Sequence, residues 1–299
     1  MKKATLIALV TALCGILLCG CSFSFVYPTY DNAAKYSVGG AELTDEIERV
    51  DISWVRGNVI VATHTENTVA FSEQANLEVD ESLTMHYWLD GKTLHIKFAQ
   101  SGKIGVIDLR KTLTVFLPQE LMLKYLTVNV ISANVSVDGV TAQSAEFDSV
   151  SGEIDIANTQ ILQLLEIDTV SGELTASLKG TLDELEVDTV SGDIEITAEK
   201  IGTVDLDSTS GRVKLNVISQ PDEIDIDTVS GAVSLYLPSD SSFTLNFDTV
   251  SGSFDCDLPT TKRGDNYICG GGLAKYKIDT VSGSLKIKIN SSVQQLSRY

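Results

Sequence analysis

The sequence predicts an all-β fold, a single-chain parallel β-solenoid with coils of about 20 residues. Three observations support this prediction. The pentapeptide Asp-Thr-Val-Ser-Gly or a near copy recurs along the chain, apolar residues alternate at period two around each copy, and no helical period is present. The motif Asp stands at 148, 168, 188, 207, 227, 248 and 279, so that successive steps are 20, 20, 19, 20, 21 and 31 residues.

Each copy contains a corner at its Ser-Gly pair. Counted from the motif Asp, the apolar positions before it are odd, as at Leu185 and Val187, whereas those after it are even, as at Ile194 and Ile196. One straight strand cannot turn both sets to the same side. The chain must therefore bend between them, and glycine bends at low steric cost. We expect each coil to contain a strand, a corner, a second strand and a return, stacked right-handedly about 4.8 Å apart.

Two earlier stretches are weaker copies of the repeat. The segment "LTVNVISANVSV" places Asn129 at the Asp position, and "SWVRGNVIV" at 53–61 is a fainter echo. The repeat solenoid is therefore predicted over 126–290, after a β-rich part of the same domain over 46–125 and before a C-terminal tail over 291–299. The long last step, through "PTTKRGDNYICGGGLA", predicts a local loop or part of a C-terminal cap.

The clearest hairpin in the β-rich part is "LTMHYWLDGKTLHIKF". Its Asp90-Gly91 dipeptide suits a two-residue type I′ turn. That turn would place Tyr87 opposite Leu94 on the face that we assign to the core.

The same hairpin register would place His86 opposite His95 on the other face. Two imidazoles could hold a transition metal. No third ligand follows from the sequence, and two imidazoles alone make a poor site. The alternative is an exposed polar pair, and no metal is expected.

The chain begins with "MKKATLIALVTALCGILLCGC". Two lysines, a short apolar run and small residues indicate a secretory signal peptide over 1–20, too short to span a bilayer comfortably. The ending Leu-Cys-Gly-Cys resembles the lipobox of bacterial lipoproteins, which implies cleavage before Cys21 and a lipid anchor on its sulfur. The alternative is an ordinary signal peptide with an incidental cysteine. Residues 21–45, which are mostly small and polar, are predicted to form a tether.

Charge and cysteine content agree with an exported protein. The net charge of −19 becomes −21 once the signal peptide and its two lysines are removed. So acidic a chain is not expected to bind nucleic acid or anionic lipid. Cations, basic proteins and neutral polymers are the expected partners. Beyond the signal peptide and anchor, Cys256 and Cys269 could form a disulfide outside the cytoplasm or remain free thiols.

A family resemblance lies in the segment "KTLTVFLPQELMLKYLTVNVISANVSV" and the "DTVSGEL" type of rung that follows it. Together they resemble the bacterial putative-adhesin β-solenoid family, a group of domains of unknown function. The resemblance covers about residues 45–290 and implies a parallel β-solenoid at the cell envelope. The family has no established catalytic residues, so none is assigned.

The motif Asp and the residue two before it should both point away from the core. Stacked coils would align their carboxylates, which repel by roughly 0.9 kcal/mol even in water. Bound calcium would offset this repulsion, and so would a corner N–H donated to each Asp. The repeated choice of Asp over Glu favours the second explanation. The calcium candidates are Asp148, Asp168, Asp188, Asp207, Asp227 and Asp248.

The function predicted from these features is non-enzymatic binding at the cell envelope. An extended acidic face would bind an extracellular protein or an envelope polymer, or signal envelope state. The alternatives are an enzyme acting on polysaccharide and a structural spacer. An enzyme would need an irregular cleft that gathers basic or aromatic residues. The nearest candidate is the 259–276 loop with Lys262, Arg263, Tyr267 and Tyr276.

Overall fold

The computed structural model of the chain describes residues 26–106 and 108–290. All named strands in these ranges belong to one sheet, which is wound into coils. The predicted all-β fold is therefore confirmed. Within the described residues, no helix is long and apolar enough to cross a membrane. The predicted signal peptide, Cys21 and the tail over 291–299 lie outside these residues.

The described residues contain one short 3₁₀-helix, η1 (Ala33–Lys35), and 21 strands. The strands are β1 (Ser37–Val38), β2 (Ala41–Leu43), β3 (Arg49–His64), β4 (Val69–Ala75), β5 (His86–Asp90), β6 (Thr93–Lys97), β7 (Lys111–Pro118), β8 (Met122–Asp138), β9 (Thr141–Ser151), β10 (Ile154–Ser171), β11 (Leu174–Ser191), β12 (Ile194–Ser210), β13 (Val213–Ser219), β14 (Glu223–Ser230), β15 (Val233–Leu237), β16 (Phe243–Thr249), β17 (Phe254–Cys256), β18 (Thr260–Arg263), β19 (Asn266–Cys269), β20 (Ala274–Ser282) and β21 (Leu285–Ile289). Most are paired in parallel, coil on coil.

Successive coils stack in parallel and in register. Leu165 of β10 lies opposite Leu185 of β11, which lies opposite Val204 of β12. All three side chains are buried, as are Ile194 and Ile196 beyond the corner. Both apolar sets therefore face the same interior, as the change of parity at the corner predicts.

The corner falls at the Ser-Gly pair. Strand β10 ends at Ser171 and β11 begins at Leu174, with Gly172 at φ 140° between them. In the next coil Gly192 has φ 137°, a region that residues with a Cβ rarely adopt. A Cβ at Gly192 would also overlap the carbonyl oxygen of Gly172. Glycine therefore recurs because each corner lies directly on the backbone of the preceding one.

The two weaker copies are genuine coils. Asn129 lies opposite Asp148, and Gly57 lies opposite Ala133 in the corner column. Strand β3 therefore forms the second coil of the stack, between β8 on one side and the first coil, made of β6 and β7, on the other. The antiparallel strands β4 and β5 pair with β7 and β6, so that the edge of this first coil is not left open.

The tether predicted over 21–45 is wrong for residues 26–45. Tyr27 is 3% exposed, and its ring centroid lies 5.2 Å from that of Phe98. Strand β1 pairs with β5, and β2 pairs with β4. The polar composition of this segment does not indicate that Tyr27 is buried or that the main chain pairs with the sheet. These two contacts together hold the segment on the domain.

The predicted register of the β5–β6 hairpin is wrong by two residues. Asp90 pairs with Thr93, so that the turn residues are Gly91 and Lys92 rather than Asp90 and Gly91. Gly91 has φ 59°, whereas Lys92 does not have a positive φ, which matches a type II′ turn with Gly at its first central position. Because the shift is even, Tyr87 keeps its predicted face but lies opposite Ile96.

A buried ion pair helps to hold the N-terminal coils together. Lys111 is 1% exposed, and its Nζ lies 2.7 Å from Glu73 Oε2. The same Nζ donates to the carbonyl oxygens of Leu83 and Phe98. Burial lowers the pKa of Lys111 to about 8, although the Glu73 carboxylate opposes this effect. These contacts satisfy an ammonium that would otherwise be costly to bury.

The coils at the C-terminal end do not follow chain order. Strand β20 pairs with β14 on one side and with β16 on the other. The last coil of the chain is therefore inserted between two earlier ones, and the coil of β16 and β17 lies outermost. The long step in the repeat contains the β18–β19 hairpin, which covers β16 through an antiparallel pairing with β19. Of the two predictions for this segment, the cap is the one confirmed.

Candidate functional site

One edge of the solenoid carries the motif Asp residues in a single column. The six calcium candidates all belong to it, and Asp279 lies between Asp227 and Asp248 because of the inserted coil. In spatial order the column consists of Lys97, Ser53, Asn129, Asp148, Asp168, Asp188, Asp207, Asp227, Asp279 and Asp248.

A second column runs beside the first. In each coil its member is the residue two positions before the first-column residue in the sequence. In the same spatial order it consists of His95, Asp51, Thr127, Glu146, Glu166, Glu186, Asp205, Asp225, Lys277 and Asn246. We call the carboxylates of the two columns, from the Glu146 coil to the Asp248 coil, the acidic strip. Parallel in-register pairing places like charges about one coil spacing apart from Asp148 to Asp248 in the first column and from Glu146 to Asp225 in the second.

The crowding of carboxylates changes their acidity. Burial, reinforced by the neighbouring carboxylates of Asp188 and Asp148, raises the pKa of Asp168 to about 7. Burial, together with Glu146 and Glu166, raises the pKa of Asp148 to about 6. Part of the strip therefore retains protons near neutral pH, and a bound cation would favour their release.

The predicted hydrogen bond from a corner N–H to the motif Asp is absent at Asp148 and Asp168 in the described residues. The corner N–H groups are already used by the sheet, since Leu174 N donates to the Asp193 carbonyl in the next coil at 3.0 Å. Some corner N–H groups donate to a side chain, but that side chain is a residue of the corner and not the motif Asp. For example, Arg212 N donates to Asp193 Oδ1 at 2.9 Å. The repulsion at Asp148 and Asp168 is therefore not offset locally.

One lysine partly neutralises the strip near its C-terminal end, and a second pairs with an aspartate beyond the opposite end. Lys277 Nζ lies 2.9 Å from Asp225 Oδ1 and 3.2 Å from carboxylate oxygens of Asp227 and Asp279. Beyond the opposite end, Lys97 Nζ lies 2.9 Å from Asp51 Oδ2. The inserted coil thus places a cation within the second column. Asp148 and Asp168 form no ion pair with any described residue.

The hydroxyl groups of the motif are structural. Ser191 Oγ donates to the Val170 carbonyl of the preceding coil at 3.3 Å, and Ser171 Oγ donates to Val150 at 3.4 Å. Thr189, one residue after the motif Asp, is buried at the corner, and its Oγ1 donates to Ser191 O at 3.4 Å. Ser171 and Ser191 therefore link adjacent coils, whereas Thr189 bonds within its own corner. Among the described residues, five other hydroxyls at the position after the motif Asp are buried without a hydrogen-bond partner: those of Ser149, Thr169, Thr228, Thr249 and Thr280.

An apolar ridge borders the strip and was not predicted. It is formed by the residue that follows the motif Thr. Val229 and Val281 are each 50% exposed, and Val250 is 83% exposed. With the motif Asp and Thr residues of five coils they line an open groove of about 550 Å³. The period-two alternation could have revealed this ridge, because it places this valine on the same side of the strand as the motif Asp.

An irregular cleft of the kind expected of an enzyme lies at the N-terminal end of the strip. It has a volume of about 380 Å³ and is lined by Tyr30, Trp54, Lys97, Phe98 and Asp148 among others. Three of these residues are aromatic and two are charged. In the cleft, aromatic residues and a lysine replace the residues of the repeat motif.

The 259–276 loop, predicted as the nearest candidate for such a cleft, does not form one. Lys262 and Arg263 are exposed on β18, and Lys262 Nζ lies 3.4 Å from the hydroxyl of Tyr267. Tyr276 is buried in the core, where its hydroxyl donates to Pro221 O at 3.2 Å. These residues belong to the cap and to the core behind it, and they do not converge on one space.

Comparison with known proteins gives the family. The family model described as Toastrack DUF4097 matches residues 47–290, the whole range of coils. The chain belongs to the Toastrack family. The resemblance noted from the sequence is thereby confirmed, and with it the membership in a group of domains of unknown function.

Two solved structures are similar to this Toastrack domain. A putative cell adhesion protein from Clostridium sporogenes is 13% identical with a TM-score of 0.26, covering 85% of this chain and 100% of that one. A putative adhesin from Bacteroides fragilis is 14% identical with a TM-score of 0.48, covering 85% and 97%. No curated protein matches the chain.

The Toastrack domain does not bring the two candidate histidines together as predicted. His95 lies opposite Trp88, and His86 lies opposite Lys97, because the hairpin register is shifted. His95 Nδ1 instead lies 2.7 Å from Asp51 Oδ2. Over residues 26–106 and 108–290, no three His, Cys, Asp or Glu side chains are grouped to hold a metal ion, the six calcium candidates included.

The two cysteines of the domain are free thiols here. Cys256 is half-buried on β17, and Cys269 is buried on β19, where its Sγ donates to Ser241 O at 3.3 Å. Burial raises the pKa of both thiols. The disulfide between them stays a prediction.

Proposed function

We propose that this protein is a non-enzymatic, lipid-anchored binding protein of the bacterial cell envelope that holds an extended basic partner along its acidic strip. The observation that carries the proposal is the column of motif Asp residues. Asp148 and Asp168 lie in register within it, and neither forms an ion pair with a described residue. A site that accumulates like charge at a cost in stability is suited to a partner of opposite charge.

The shape of the strip specifies the kind of partner. Carboxylates repeat once per coil over many coils, so a long ligand with repeated positive charges would contact more of them than a compact one. The ridge formed by Val229, Val250 and Val281 runs beside the charges and offers apolar contact. An extended peptide or polymer that alternates basic and apolar groups would match both features.

Several features support binding rather than catalysis. The motif serines donate to main-chain carbonyls of neighbouring coils, and no described base contacts them. The long in-register column of carboxylates offers repeated contacts to a partner and no single enclosed reaction centre.

The location follows from the sequence of the leader. Cleavage before Cys21 and lipidation of its sulfur would fix the domain at the membrane surface. A Cys21→Ser chain expressed in a bacterial host is therefore expected to lose its membrane anchor. Detergent phase partitioning measures this directly, since the native chain should enter the detergent phase and the variant the aqueous phase. Equal partitioning of both chains would contradict the lipid anchor.

Binding to a designed peptide tests the strip. The probe is a Lys/Val alternating peptide of about 12 residues, which spans about eight coils at about 3.3 Å per residue. We expect saturable binding to the mature chain by isothermal titration, weakening steeply as the salt concentration rises from about 0.05 to 0.5 M. Asp168→Asn combined with Asp188→Asn should weaken it about tenfold, or about 1.4 kcal/mol.

The matched control removes two charges elsewhere. Asp155→Asn combined with Glu173→Gln changes two exposed carboxylates outside the strip, and it should alter the affinity less than about twofold. Equal losses in the two double variants would mean that only net charge matters, and the strip would not be the site. Cleavage of the peptide, or of an envelope polysaccharide added in its place, would favour an enzyme instead.

A further inference from the structure

The N-terminal cleft is built from the same motif positions as the acidic strip. Where other coils have Asp-Thr-Val, the first two coils have Lys97-Phe98-Ala99 and Ser53-Trp54-Val55, and the next has Asn129-Val130-Ile131. The fourth has Asp148-Ser149-Val150. The same motif positions therefore line the groove and the cleft, with the coil of Asp168 between them, but in the cleft the small threonines are replaced by aromatic and larger apolar side chains.

The N-terminal segment closes the groove over these coils. Tyr30 donates its hydroxyl to Ala99 O at 3.1 Å, and its N–H donates to Ser101 Oγ at 2.9 Å. Tyr27 is held in the core, and the segment from Tyr27 to Tyr30 lines one side of the cleft. Trp54 and Phe98 pack edge to face with centroids 4.9 Å apart and are almost fully buried, so they form its inner wall.

The polar groups of the cleft differ in what they can still bind. Lys97 Nζ already contacts Asp51 and Ser53. Asn129 and Asp148, on adjacent coils, form no side-chain hydrogen bond or ion pair with described residues. Burial raises the pKa of Asp148 to about 6, as expected for a carboxylate beside apolar walls with no cation. An amide and a carboxylate on adjacent, paired coils thus remain available next to an apolar enclosure.

We propose that the cleft is an anchoring subsite that takes one aromatic or large aliphatic side chain together with an adjacent ammonium group of the basic partner. The apolar group would fill the space beside Trp54, Phe98 and Ile131, and the ammonium would lie at Asp148 with Asn129 beside it. The volume of about 380 Å³ is within the range of small-ligand pockets. This inference rests on the proposed function for the remainder of the ligand, because the strip would bind the chain that leaves the cleft.

Two probes separate the subsite from the strip. The first compares a Lys/Ser alternating peptide with the same peptide carrying one central Phe, and we expect the Phe to raise the affinity at least about tenfold. The second is phenethylamine alone, which has a ring and an ammonium but cannot span the strip. We expect it to bind at millimolar concentration and to perturb the fluorescence of Trp54, whereas 2-phenylethanol, which lacks the charge, should bind more weakly.

Filling the cleft is the decisive variant. Ile131→Trp should abolish both the Phe advantage and phenethylamine binding while the Lys/Ser peptide still binds. The same change at the exposed Ile218, Ile218→Trp, should leave all three unchanged. A circular dichroism melt of each variant checks that it is folded, and Asp148→Asn, which keeps the size of the side chain, should also weaken phenethylamine binding.

The outcomes distinguish the two proposals. If the Lys/Ser peptide binds but Phe adds nothing and phenethylamine does not bind, the subsite is overturned and the strip stands. If phenethylamine binds in the cleft and neither peptide does, the subsite stands and the strip is overturned. Phenethylamine binding that survives Ile131→Trp would place the ring elsewhere and would also overturn the subsite.

Discussion

Replacing Gly192 with alanine is expected to lower the free energy of unfolding by about 3 to 5 kcal/mol. Two costs add at this position. The new Cβ would overlap the carbonyl oxygen of Gly172 in the preceding coil, and that oxygen belongs to the main chain and cannot rotate away. The φ of 137° is also one that alanine rarely adopts. Urea unfolding followed by circular dichroism would measure the loss.

A second glycine supplies the control. Gly264 has φ 60°, but a Cβ there would meet no atom within 4 Å. Gly264→Ala therefore measures the cost of a left-handed φ without a steric overlap, which is about 1 to 2 kcal/mol. If both variants lost the same stability, backbone conformation alone would explain the recurring glycine, and the close stacking of corners would be wrong.

Mild acid is expected to stabilise the domain, in contrast to the usual behaviour of proteins. The folded-state pKa values of Asp148 and Asp168 are raised to about 6 and 7, so the folded state binds protons more tightly than the unfolded chain. Their contribution is fully present below the unfolded pKa of about 4 and is lost as the pH rises through 6 and 7. Glu48 acts oppositely, because Lys124 and Lys92 lower its pKa to about 2. Stability should therefore peak near about pH 5.

Asp168→Asn tests the origin of this effect. At about pH 7.5 the variant should be more stable than the native chain by about 1 kcal/mol, after allowance for solvent screening of a half-buried carboxyl. Near pH 4 the difference should vanish, because the native side chain is then protonated. Asp155→Asn, which removes one exposed carboxylate outside the strip, is the matched control. A melting temperature that falls steadily from about pH 7.5 to about pH 5 would contradict the raised pKa values.

The coils and their corners could be predicted from the sequence because the residues that determine them lie within a single repeat. The switch of parity between Val187 and Ile194 fixes a bend within one repeat, and the recurrence of the motif fixes the register between repeats. The order of the last coils is not local. Nothing near Lys277 in the sequence shows that its coil lies between those of Asp225 and Asn246, although a lysine there relieves the charge of the column.

The acidic column could be predicted, but the cleft at its end could not. The column follows from the period and the parity of the repeat. The cleft depends on Tyr27 and Tyr30, which lie in a segment of polar composition and contact Phe98 and Ala99 far along the chain. The error in the hairpin register has a similar origin. Gly91 is compatible with both a type I′ and a type II′ turn, and the pairing of β6 with β3, far along the chain, determines which of the two forms.

Methyl NMR of the valines would test the central claim, binding of an extended basic partner along the strip, most directly. The mature chain is labelled at valine methyl groups and titrated with the Lys/Val peptide. Shift changes are expected at Val229, Val281 and Val250, which border the strip, and not at the buried Val187 of the interior. Changes confined to valines remote from the motif Asp column, or no changes at all, would contradict the account.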